Sequence, residues 1–457
     1  MLRLGRRAGC RSPRQASGGI ASASSGSGQR SSPCPKQSTD RLASARSSLP
    51  PGLVQPFRRR PLFQLDPHAA PSPCDHVASE KPLRILVTGA AGLLGAELVG
   101  LLADRGHSVV GLVRRNRELA RNDRTPLAVG QWSGAAPADG CIAVLSGDVS
   151  QDRLGLSHDE YEALAGSLDL IIHCAAVVGF SLDPDAYRSV NVGGARTVIA
   201  LAEHGTRTAG VEAIPLLHVS TAYVCGERSG AIGEDDLDVG QHFANGYESS
   251  KVEAEQLMHQ ARARGVPVAI ARPSIVVGAW SDGAIRSFEN IYAMIRLFAQ
   301  GQVRTLVATE DATLDLVPID HVCAGLVDIA ERMPDAAGQT FHLVAERPIP
   351  VALLTRLAGH YPQYEVPRLV SPAEFRPDMI GEAERWLHDQ VRLSFGSYLC
   401  RDPRFAAANL EALSGRRCPP TDALFLRRLV DHCILAGFLR SGGNRRSRSN
   451  RSEAALA

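Results

Sequence analysis

The stretch that decides the fold runs Leu83-Arg84-Ile85-Leu86-Val87-Thr88-Gly89-Ala90-Ala91-Gly92-Leu93-Leu94-Gly95. Its first half is a short apolar, β-branched run, which is typical of a strand buried in a parallel sheet. The run breaks into glycines, and residues 96–102 then have the apolar spacing of a helix. Strand, glycine turn and helix in this order predict a dinucleotide-binding turn, because glycines let the backbone approach a pyrophosphate at the helix N-terminus. The alternative is an ordinary glycine-rich turn.

The next strand signal, residues 108–113, ends in Arg114-Arg115. In dinucleotide-binding sheets this position usually carries an acid that hydrogen-bonds the ribose of NAD. An acid would repel a 2′-phosphate, whereas a guanidinium group binds it through two parallel hydrogen bonds. Two solvated arginines on a loop are the alternative. Their place beside the ribose favours NADP (NADPH) as the cofactor.

Tyr247 and Lys251 are spaced by one helical turn in the stretch Asn245-Gly246-Tyr247-Glu248-Ser249-Ser250-Lys251, so they share a helix face. A lysine ammonium beside a phenol favours the phenolate, and we therefore expect the pKa of Tyr247 to be lowered toward neutrality. Such a tyrosine can give a proton to a carbonyl oxygen while a nicotinamide transfers hydride. Many surface helices carry such a tyrosine–lysine pair by chance. The pair indicates a catalytic function here only because the dinucleotide-binding motif precedes it in the chain.

Strand and helix signals alternate through the body of the chain, which predicts an α/β fold with a doubly wound parallel (Rossmann) sheet. Ligands of such sheets bind at the carboxyl ends of the strands, and the motifs lie at such ends or on the helices that follow. The strand signals centre on Ile85, Val109, Ile142, Leu170, Leu216 and Val268.

Further motifs follow in order along the chain: Ser146-Gly147-Asp148-Val149, Leu170-Ile171-Ile172-His173-Cys174-Ala175-Ala176, Asn191-Val192-Gly193-Gly194, His218-Val219-Ser220-Thr221-Ala222-Tyr223-Val224-Cys225-Gly226 and Arg272-Pro273-Ser274-Ile275-Val276-Val277-Gly278. With these motifs the chain resembles the extended short-chain dehydrogenase/reductase family over about residues 82 to 350. The sequences of residues 173–176, 272–278 and 316–322 are most similar to those of the fatty acyl-CoA reductase and thioester reductase branch.

The resemblance implies a catalytic set. Thr221 matches the family's hydroxyl that hydrogen-bonds the substrate carbonyl beside Tyr247, and Ser220 is the neighbouring alternative. Lys251 is expected to hold the nicotinamide ribose and tune Tyr247, and Asn191 to bend a helix and organise a proton-relay water. If the resemblance to the family is set aside, Thr221 is interpreted as a hydroxyl at the end of a strand and Asn191 as a helix cap.

The resemblance also implies a cofactor-binding set. Asp148 and Val149 are expected beside the adenine, Ala175 and Ala176 along the cofactor trough, and Pro273 under the nicotinamide. The complete expected set is Thr88, Gly89, Gly92, Leu93, Leu94, Gly95, Arg114, Arg115, Asp148, Val149, Ala175, Ala176, Tyr247, Lys251 and Pro273.

Composition excludes several classes of function. A net charge of +2 over 457 residues, without a basic helix interleaved with aromatic residues, argues against a nucleic-acid partner. The ten cysteines form no Cys-x-x-Cys pair, so neither a zinc site nor a redox dithiol is expected. Reduced thiols fit a cytoplasmic protein. No apolar run reaches the length of a membrane span, and oligomeric state stays open.

Both ends of the chain, residues 1–80 and 441–457, are expected to be disordered because they offer little apolar surface. Residues 1–39 contain no acid and several arginines, as a mitochondrial transit peptide does. The Ala-, Arg- and Gly-rich composition of the whole chain favours the other explanation, a cytoplasmic protein whose true start lies downstream.

The ordered part divides into a predicted NADP-binding domain over residues 81–278 and a smaller, mostly helical substrate lobe over residues 279–440. The lobe is interleaved with the last Rossmann elements at about residues 312–345. Within residues 287–298 a Tyr-Met-Phe stripe has helical spacing and is expected in the core, with an acyl pocket as the alternative. A one-sided helix within residues 425–438 should pack on the lobe, with a membrane surface as the alternative.

The sequence therefore predicts an NADPH-dependent reductase, and the resemblance implies a fatty acyl thioester as substrate and an aldehyde or alcohol as product. No adenylation or carrier domain is recognised, so the thioester is expected to arrive in trans, as acyl-CoA or on an acyl carrier protein. One alternative is a nucleotide-sugar epimerase/dehydratase or hydroxysteroid-type dehydrogenase, for which Arg286, Arg296 and Arg304 offer cations. The other is a non-catalytic NADP-binding regulator, which would not need Tyr247, Lys251 and Thr221.

Overall fold

A sheet of eight parallel strands forms the centre of the computed structural model, which describes residues 81–115, 118–179, 184–209 and 213–441. The predicted N-terminal segment 1–80 lies outside the described residues, and so does the tail 441–457 except for its first residue. The strands are β1 Arg84–Thr88, β2 Ser108–Val113, β3 Gly130–Gln131, β4 Ile142–Ser146, β5 Leu170–His173, β6 Leu216–Val219, β7 Gly230–Ile232, β8 Val268–Pro273, β9 Ile275–Val277, β10 Thr305–Val307, β11 Thr313–Leu314, β12 Leu316–Pro318, β13 Thr340–Leu343, β14 Ile349–Pro350, β15 Arg368–Val370 and β16 Pro403–Phe405.

Helices connect most of these strands. The α-helices are α1 Leu93–Asp104, α2 His158–Ala165, α3 Pro184–Tyr187, α4 Gly193–Ala209, α5 Gly246–Ala263, α6 Ile291–Ala299, α7 Ile319–Glu331, α8 Met333–Ala336, α9 Val351–Ala358, α10 Glu382–Phe395, α11 Ala408–Ser414 and α12 Ala423–Leu435. Short 3-10 turns cover Asp152–Gly155, Ala222–Cys225, Pro377–Met379 and Tyr398–Cys400, and a π-helical turn covers Arg188–Val192.

The strand order of the central sheet is β13-β8-β6-β5-β1-β2-β4-β3, with parallel pairing throughout. All six predicted strands are present, as β1, β2, β4, β5, β6 and β8. The chain leaves β1 toward β2 on one side and returns on the other side at β5. Ligands of doubly wound sheets bind at this switch point, outside the carboxyl ends of the strands. The predicted doubly wound Rossmann fold is confirmed.

Helices cover both faces of the sheet, which explains why β1 is apolar without alternation. Ile85 and Val87 pack on one face with Leu98 of α1 and Leu326 of α7. Leu86 points to the other face. That second core contains buried side chains of α2, α4 and α5, namely Tyr161, Leu164, Ala195, Val198, Leu201, Ala254 and Met258.

The substrate side of the protein has its own apolar core, to which α6, α9 and α12 contribute. Four two-stranded sheets also occur on this side: β10 pairs with β15 and β11 with β14 within the lobe, and the lobe strands β16 and β12 pair with β7 and β9 of the preceding region. These strands are two or three residues long and were not expected, because such short runs carry no readable periodicity. Phe425, Leu426, Leu429 and Cys433 of α12 are buried in this core, which confirms that the helix packs on the lobe. No helix within the described ranges is both long and apolar enough to cross a bilayer.

Candidate active site

The glycine turn after β1 is packed so closely against the segment after β5 and against α1 that side chains are excluded at two positions. Gly89 has φ +70°, and a Cβ on it would lie 2.8 Å from the backbone of Ala175 after β5. A Cβ on Gly95 would lie 2.2 Å from the carbonyl oxygen of Gly89, so α1 can approach the turn only with glycine there. Gly92 precedes the first turn of α1, and no acid lies in that turn. The turn therefore fits a pyrophosphate at the positive end of α1.

A smaller cavity of about 210 Å³ adjoins this turn. Asp148, Val149 and Ala175 line it, as expected for the adenosine end of a nucleotide, and Arg114 lies on its wall. Arg115 is exposed and is not among the lining residues. Ala176 lines both this cavity and a larger one. The structure thus brings Arg114, but not Arg115, to the predicted ribose site.

The larger cavity, of about 560 Å³, joins the glycine turn to the substrate lobe. Gly89, Gly92, Leu93, Leu94 and Gly95 line it together with Thr221, Tyr247 and Pro273, as the sequence predicted. The lobe adds mostly apolar and aromatic side chains, and the buried Tyr-Met pair of α6 is both core and cavity wall. The apolar and aromatic lobe residues are Ile285, Ile291, Tyr292, Met294, Leu314, Phe395, Tyr398 and Leu399, and the polar ones are Arg286, Ser287, Glu289 and Asn290.

Two hydroxyl groups meet at the wall of the larger cavity. Thr221 ends the segment after β6 and caps the following 3-10 turn by accepting the backbone N–H of Tyr223 at 3.2 Å. Its hydroxyl hydrogen-bonds the Tyr247 phenol, which projects from the first turn of α5. Ser220 also lines the cavity, and its buried Oγ has no hydrogen-bond partner among the described residues. The contact with Tyr247 favours Thr221 over Ser220 as the paired hydroxyl.

The expected lowering of the Tyr247 pKa is wrong for this structure. Burial raises the pKa of Tyr247 to about 12, the Thr221 hydrogen bond opposes the rise, and the nearby Glu248 carboxylate adds to it. Lys251 is not among the groups that shift this pKa, and its Nζ donates to the carbonyl oxygen of Val219 at 2.8 Å. The phenol is therefore fully protonated at neutral pH, which is the form that can donate a proton.

Lys251 lies behind the cavity wall rather than on it, and only 2% of the residue is exposed. Burial lowers the pKa of Lys251 to about 8, with Glu255 and Cys174 acting in the opposite direction. A lysine with this pKa is easily switched between its charged and neutral forms near physiological pH.

Asn191 does not reach the cavity either. It lies in the π-helical turn between α3 and α4, where its Oδ1 accepts the N–H of Val177 at 2.9 Å and its Nδ2 donates to the carbonyl oxygen of Val177 at 3.2 Å. Nδ2 also donates to Oγ of Ser250 on α5 at 2.9 Å. Asn191 thus connects the segment after β5 to α5, and it lies within a π-helical turn, a distortion that is frequent at functional sites.

Thr88 is the remaining predicted site residue that lies off the cavity walls. It is buried, and its Oγ1 hydrogen-bonds Nδ1 of His173 at 2.8 Å and accepts the N–H of Ala175 at 3.3 Å. It therefore holds the ends of β1 and β5 together behind the cofactor site. Four predicted residues, Thr88, Arg115, Asn191 and Lys251, support or flank the site without lining it.

The larger cavity is also lined by residues that were not predicted from the sequence. Ser274, directly after Pro273, donates to the buried Asp315 at 2.5 Å. Burial raises the pKa of Asp315 to about 6, against the hydrogen bonds from Ala345 and Ser274. The Arg-Pro-Ser motif signalled Ser274, whereas nothing in the sequence linked it to Asp315. Tyr398 was missed because it belongs to a short 3-10 turn far from the motifs.

The three arginines considered for a sugar nucleotide have separate surroundings. Arg286 lines the larger cavity and donates to the carbonyl oxygens of Gly92 and Ala91 at 2.9 and 3.3 Å. Arg296 lies over the Phe438 ring at 4.8 Å, and Arg304 pairs with Glu365 at 3.1 Å on the surface. Within the described residues, Arg286 is the only cation on the larger cavity wall.

Comparisons with known proteins identify the family of this chain. The family described as male sterility protein, an NAD-binding family, matches residues 87–326. Glycine betaine reductase ATRR of Emericella nidulans is 31% identical over 281 residues, which are 58% of this chain and 21% of that protein. The isonitrile lipopeptide synthase of Streptomyces coeruleorubidus is 27% identical over 401 residues, 82% of this chain and 26% of that protein. The chain thus spans about a quarter or less of the length of these two relatives.

Among solved structures, the terminal R domain from the myxalamid PKS-NRPS biosynthetic pathway is similar with a TM-score of 0.64 and 27% identity. The similarity covers 79% of this chain and 93% of that one, so it includes the substrate lobe as well as the sheet. The family match covers more than half of the chain and includes the glycine turn, Thr221, Tyr247 and Lys251. The chain belongs to the male sterility family, in the thioester reductase branch of the extended short-chain dehydrogenases/reductases, and is an NAD(P)-dependent oxidoreductase.

Proposed function

We propose that this protein is an NADPH-dependent reductase of fatty acyl thioesters. The observation that carries the proposal is the larger cavity, in which the Tyr247 and Thr221 hydroxyls share one space with the glycine turn and an apolar lobe wall. An alkyl chain is stabilised by burial against the apolar part of this wall, which includes Ile291, Met294 and Phe395. Arg114 at the smaller cavity supports NADP rather than NAD.

Bound NADPH supplies the hydride that is transferred to the acyl carbon. Thr221 holds the Tyr247 phenol by a hydrogen bond, and Tyr247 protonates the carbonyl oxygen as negative charge develops on it. The product of this step is a hemithioacetal. Its C–S bond then breaks, the hydroxyl proton leaves with the sulfur as a free thiol, and an aldehyde remains. After NADP+ is exchanged for a second NADPH, a second hydride transfer with Tyr247 again as the proton donor would give the alcohol.

Lys251 and Asn191 have supporting roles in this proposal. Lys251 lies one turn along α5 from Tyr247 and replaces the proton that the phenol donates, either directly or through a water, as its low pKa allows. We propose that it also contacts the nicotinamide ribose when the cofactor is bound. Asn191 holds α5 beside the segment after β5, because it hydrogen-bonds both Ser250 and Val177. The acyl group would be delivered on CoA or on an acyl carrier protein, and the free cysteines fit the cytoplasm.

The sugar-nucleotide alternative is less well supported. A sugar diphosphate needs several cationic donors, and Arg296 and Arg304 are engaged elsewhere. The non-catalytic alternative would leave unexplained why Thr221 and Tyr247 are hydrogen-bonded at a cavity wall.

The proposal is tested by following NADPH oxidation with acyl-CoA esters from short to long chains and identifying the products. We expect oxidation with medium or long chains and an aldehyde or alcohol product. Tyr247→Phe should reduce kcat by about a hundredfold or more while the Kd for NADPH stays near that of the wild type. Turnover of hydroxysteroids or UDP-sugars, with every acyl-CoA and acyl-carrier thioester left unreduced, would overturn the proposal.

A further inference from the structure

A buried ion pair lies directly behind Tyr247, and its cation comes from far along the chain. Glu248, the residue after Tyr247, is fully buried on α5. Its Oε1 accepts from Nη2 of Arg401 at 2.8 Å, and its Oε2 accepts the N–H of Ala244 at 2.9 Å. The Arg401 side chain is only 3% exposed. Two opposite charges are therefore removed from water beside the proposed proton donor, which is costly unless they balance each other.

Arg401 also contacts the walls of the larger cavity. Its guanidinium lies over the rings of Tyr398 at 4.3 Å and Tyr223 at 5.0 Å, and both rings line that cavity. Nη1 donates to the carbonyl oxygen of Gly226, at the end of the 3-10 turn that Thr221 caps. Arg401 thus contacts α5 through Glu248, the 3-10 turn that follows Thr221 through Gly226, and the lobe through Tyr398.

The charge balance matters because Tyr247 becomes negative when it donates its proton. Glu248 already opposes that ionisation and helps to raise the pKa of Tyr247. Burial is the largest effect and disfavours the charge on Arg401, but Glu248, Tyr398 and Tyr223 together outweigh it, and the pKa of Arg401 is raised. The guanidinium consequently stays charged at every pH at which the enzyme is folded, and its charge offsets that of Glu248.

We propose that Arg401 is a positioning residue for Tyr247: it neutralises Glu248 and fixes the first turn of α5, so that the phenol can ionise in a charge-balanced site. The proposal deepens the proposed function, because it rests on Tyr247 as the proton donor. It predicts opposite effects from removing either charge, which a purely structural contact would not produce.

The test measures the ionisation of Tyr247 itself and so needs no substrate. The full chain is labelled with carbon-13 at the tyrosine Cζ atoms, and the Tyr247 resonance among the eight tyrosines is assigned by its loss in Tyr247→Phe. The ionised fraction of Tyr247 is followed across the alkaline pH range in which each variant stays folded, and its titration midpoint is compared. Glu248→Gln should move the midpoint down by about one pH unit or more, and Arg401→Met should move it up. The double variant Arg401→Met/Glu248→Gln should return it close to the wild-type value.

Two controls separate charge from folding. Arg401→Lys keeps the charge and should keep the midpoint, which also covers the case in which Arg401→Met does not fold. Arg416→Met breaks an ion pair of the same kind with the buried Asp328, 2.5 Å away, and should leave Tyr247 unchanged. Equal or same-direction shifts in Glu248→Gln and Arg401→Met would overturn the proposal. Normal turnover by Tyr247→Phe would instead reject Tyr247 as the donor, whatever the titrations show.

Discussion

At the scale of single residues, cofactor choice depends on Arg114. Its side chain lies on the wall of the smaller cavity, whereas that of Arg115 does not. Arg114→Ala should remove a charge-assisted contact of roughly 1.5–3 kcal/mol with a 2′-phosphate. The Kd for NADPH should rise by about tenfold to a hundredfold, and that for NADH should hardly change. Fluorescence titration with both cofactors measures these Kd values, and Arg115→Ala is the matched control. Equal losses of affinity for NADPH and NADH would contradict the assignment of Arg114 to the 2′-phosphate.

Lys251 should destabilise the protein in the absence of cofactor. Its pKa is about 8 in the folded state and 10.5 ordinarily, so the unfolded chain binds more protons between these values. Stability should therefore rise as pH increases from about 8 to about 10.5. Lys251→Met should raise the free energy of unfolding at pH 7 by up to roughly 3 kcal/mol, less the lost hydrogen bond to Val219, and by little at pH 10. Denaturant titrations at both pH values test this; a variant that is less stable at pH 7 would contradict it.

The gain in stability should come with lost function. Lys251→Met should lose most of its turnover, because no ammonium group remains to replace the proton that Tyr247 donates. A residue that lowers stability and is needed for activity is common at catalytic sites.

At the scale of elements, α1 is held against the sheet by Gly95. Gly95→Ala would place a Cβ 2.2 Å from the Gly89 carbonyl oxygen, so the helix or the turn must move. NADPH affinity should fall by about tenfold or more, since the N-terminus of α1 would no longer face the pyrophosphate. Gly100→Ala, in the same helix, meets only the flexible end of Arg121 and should bind NADPH normally. Calorimetric titration of both variants distinguishes them; equal affinities would mean that close helix packing is not required.

The sheet and its ligand turn could be predicted from sequence because their signals are local. The central residues of β1, Ile85 to Val87, are consecutively apolar since both faces of the strand are covered, and the glycine turn follows the strand directly. The short lobe strands, such as β9 with β12, pair at a distance and have no period to read. Tyr247 could be found from its spacing to Lys251, but its pKa could not, because it depends on burial and on Glu248. Arg401 lies 153 residues from Glu248, and no pattern connects the two.

At the scale of the whole molecule, the proposed active site combines the central sheet with the substrate lobe. The sheet side contributes the glycine turn, Arg114 and the Thr221 and Tyr247 hydroxyls, and the lobe contributes most of the apolar wall of the larger cavity. Cofactor binding and acyl-chain selection should therefore be separable by mutation. Phe395 is the most suitable test residue, because it lines the cavity from the end of α10 and is only partly buried.

Phe395→Ala should enlarge the cavity and shift the acyl-CoA preference toward longer chains, and Phe395→Trp should shift it toward shorter ones. Each methylene gained or lost in an apolar pocket is worth about 1–3 kcal/mol, so ratios of kcat/KM between neighbouring chain lengths should change by about tenfold. The Kd for NADPH should stay unchanged, because no cofactor-binding element is altered. Leu393→Ala on the same helix is 68% exposed, outside the cavity wall, and should keep the wild-type profile. Identical chain-length profiles for both Phe395 variants would show that the acyl chain does not lie in this cavity.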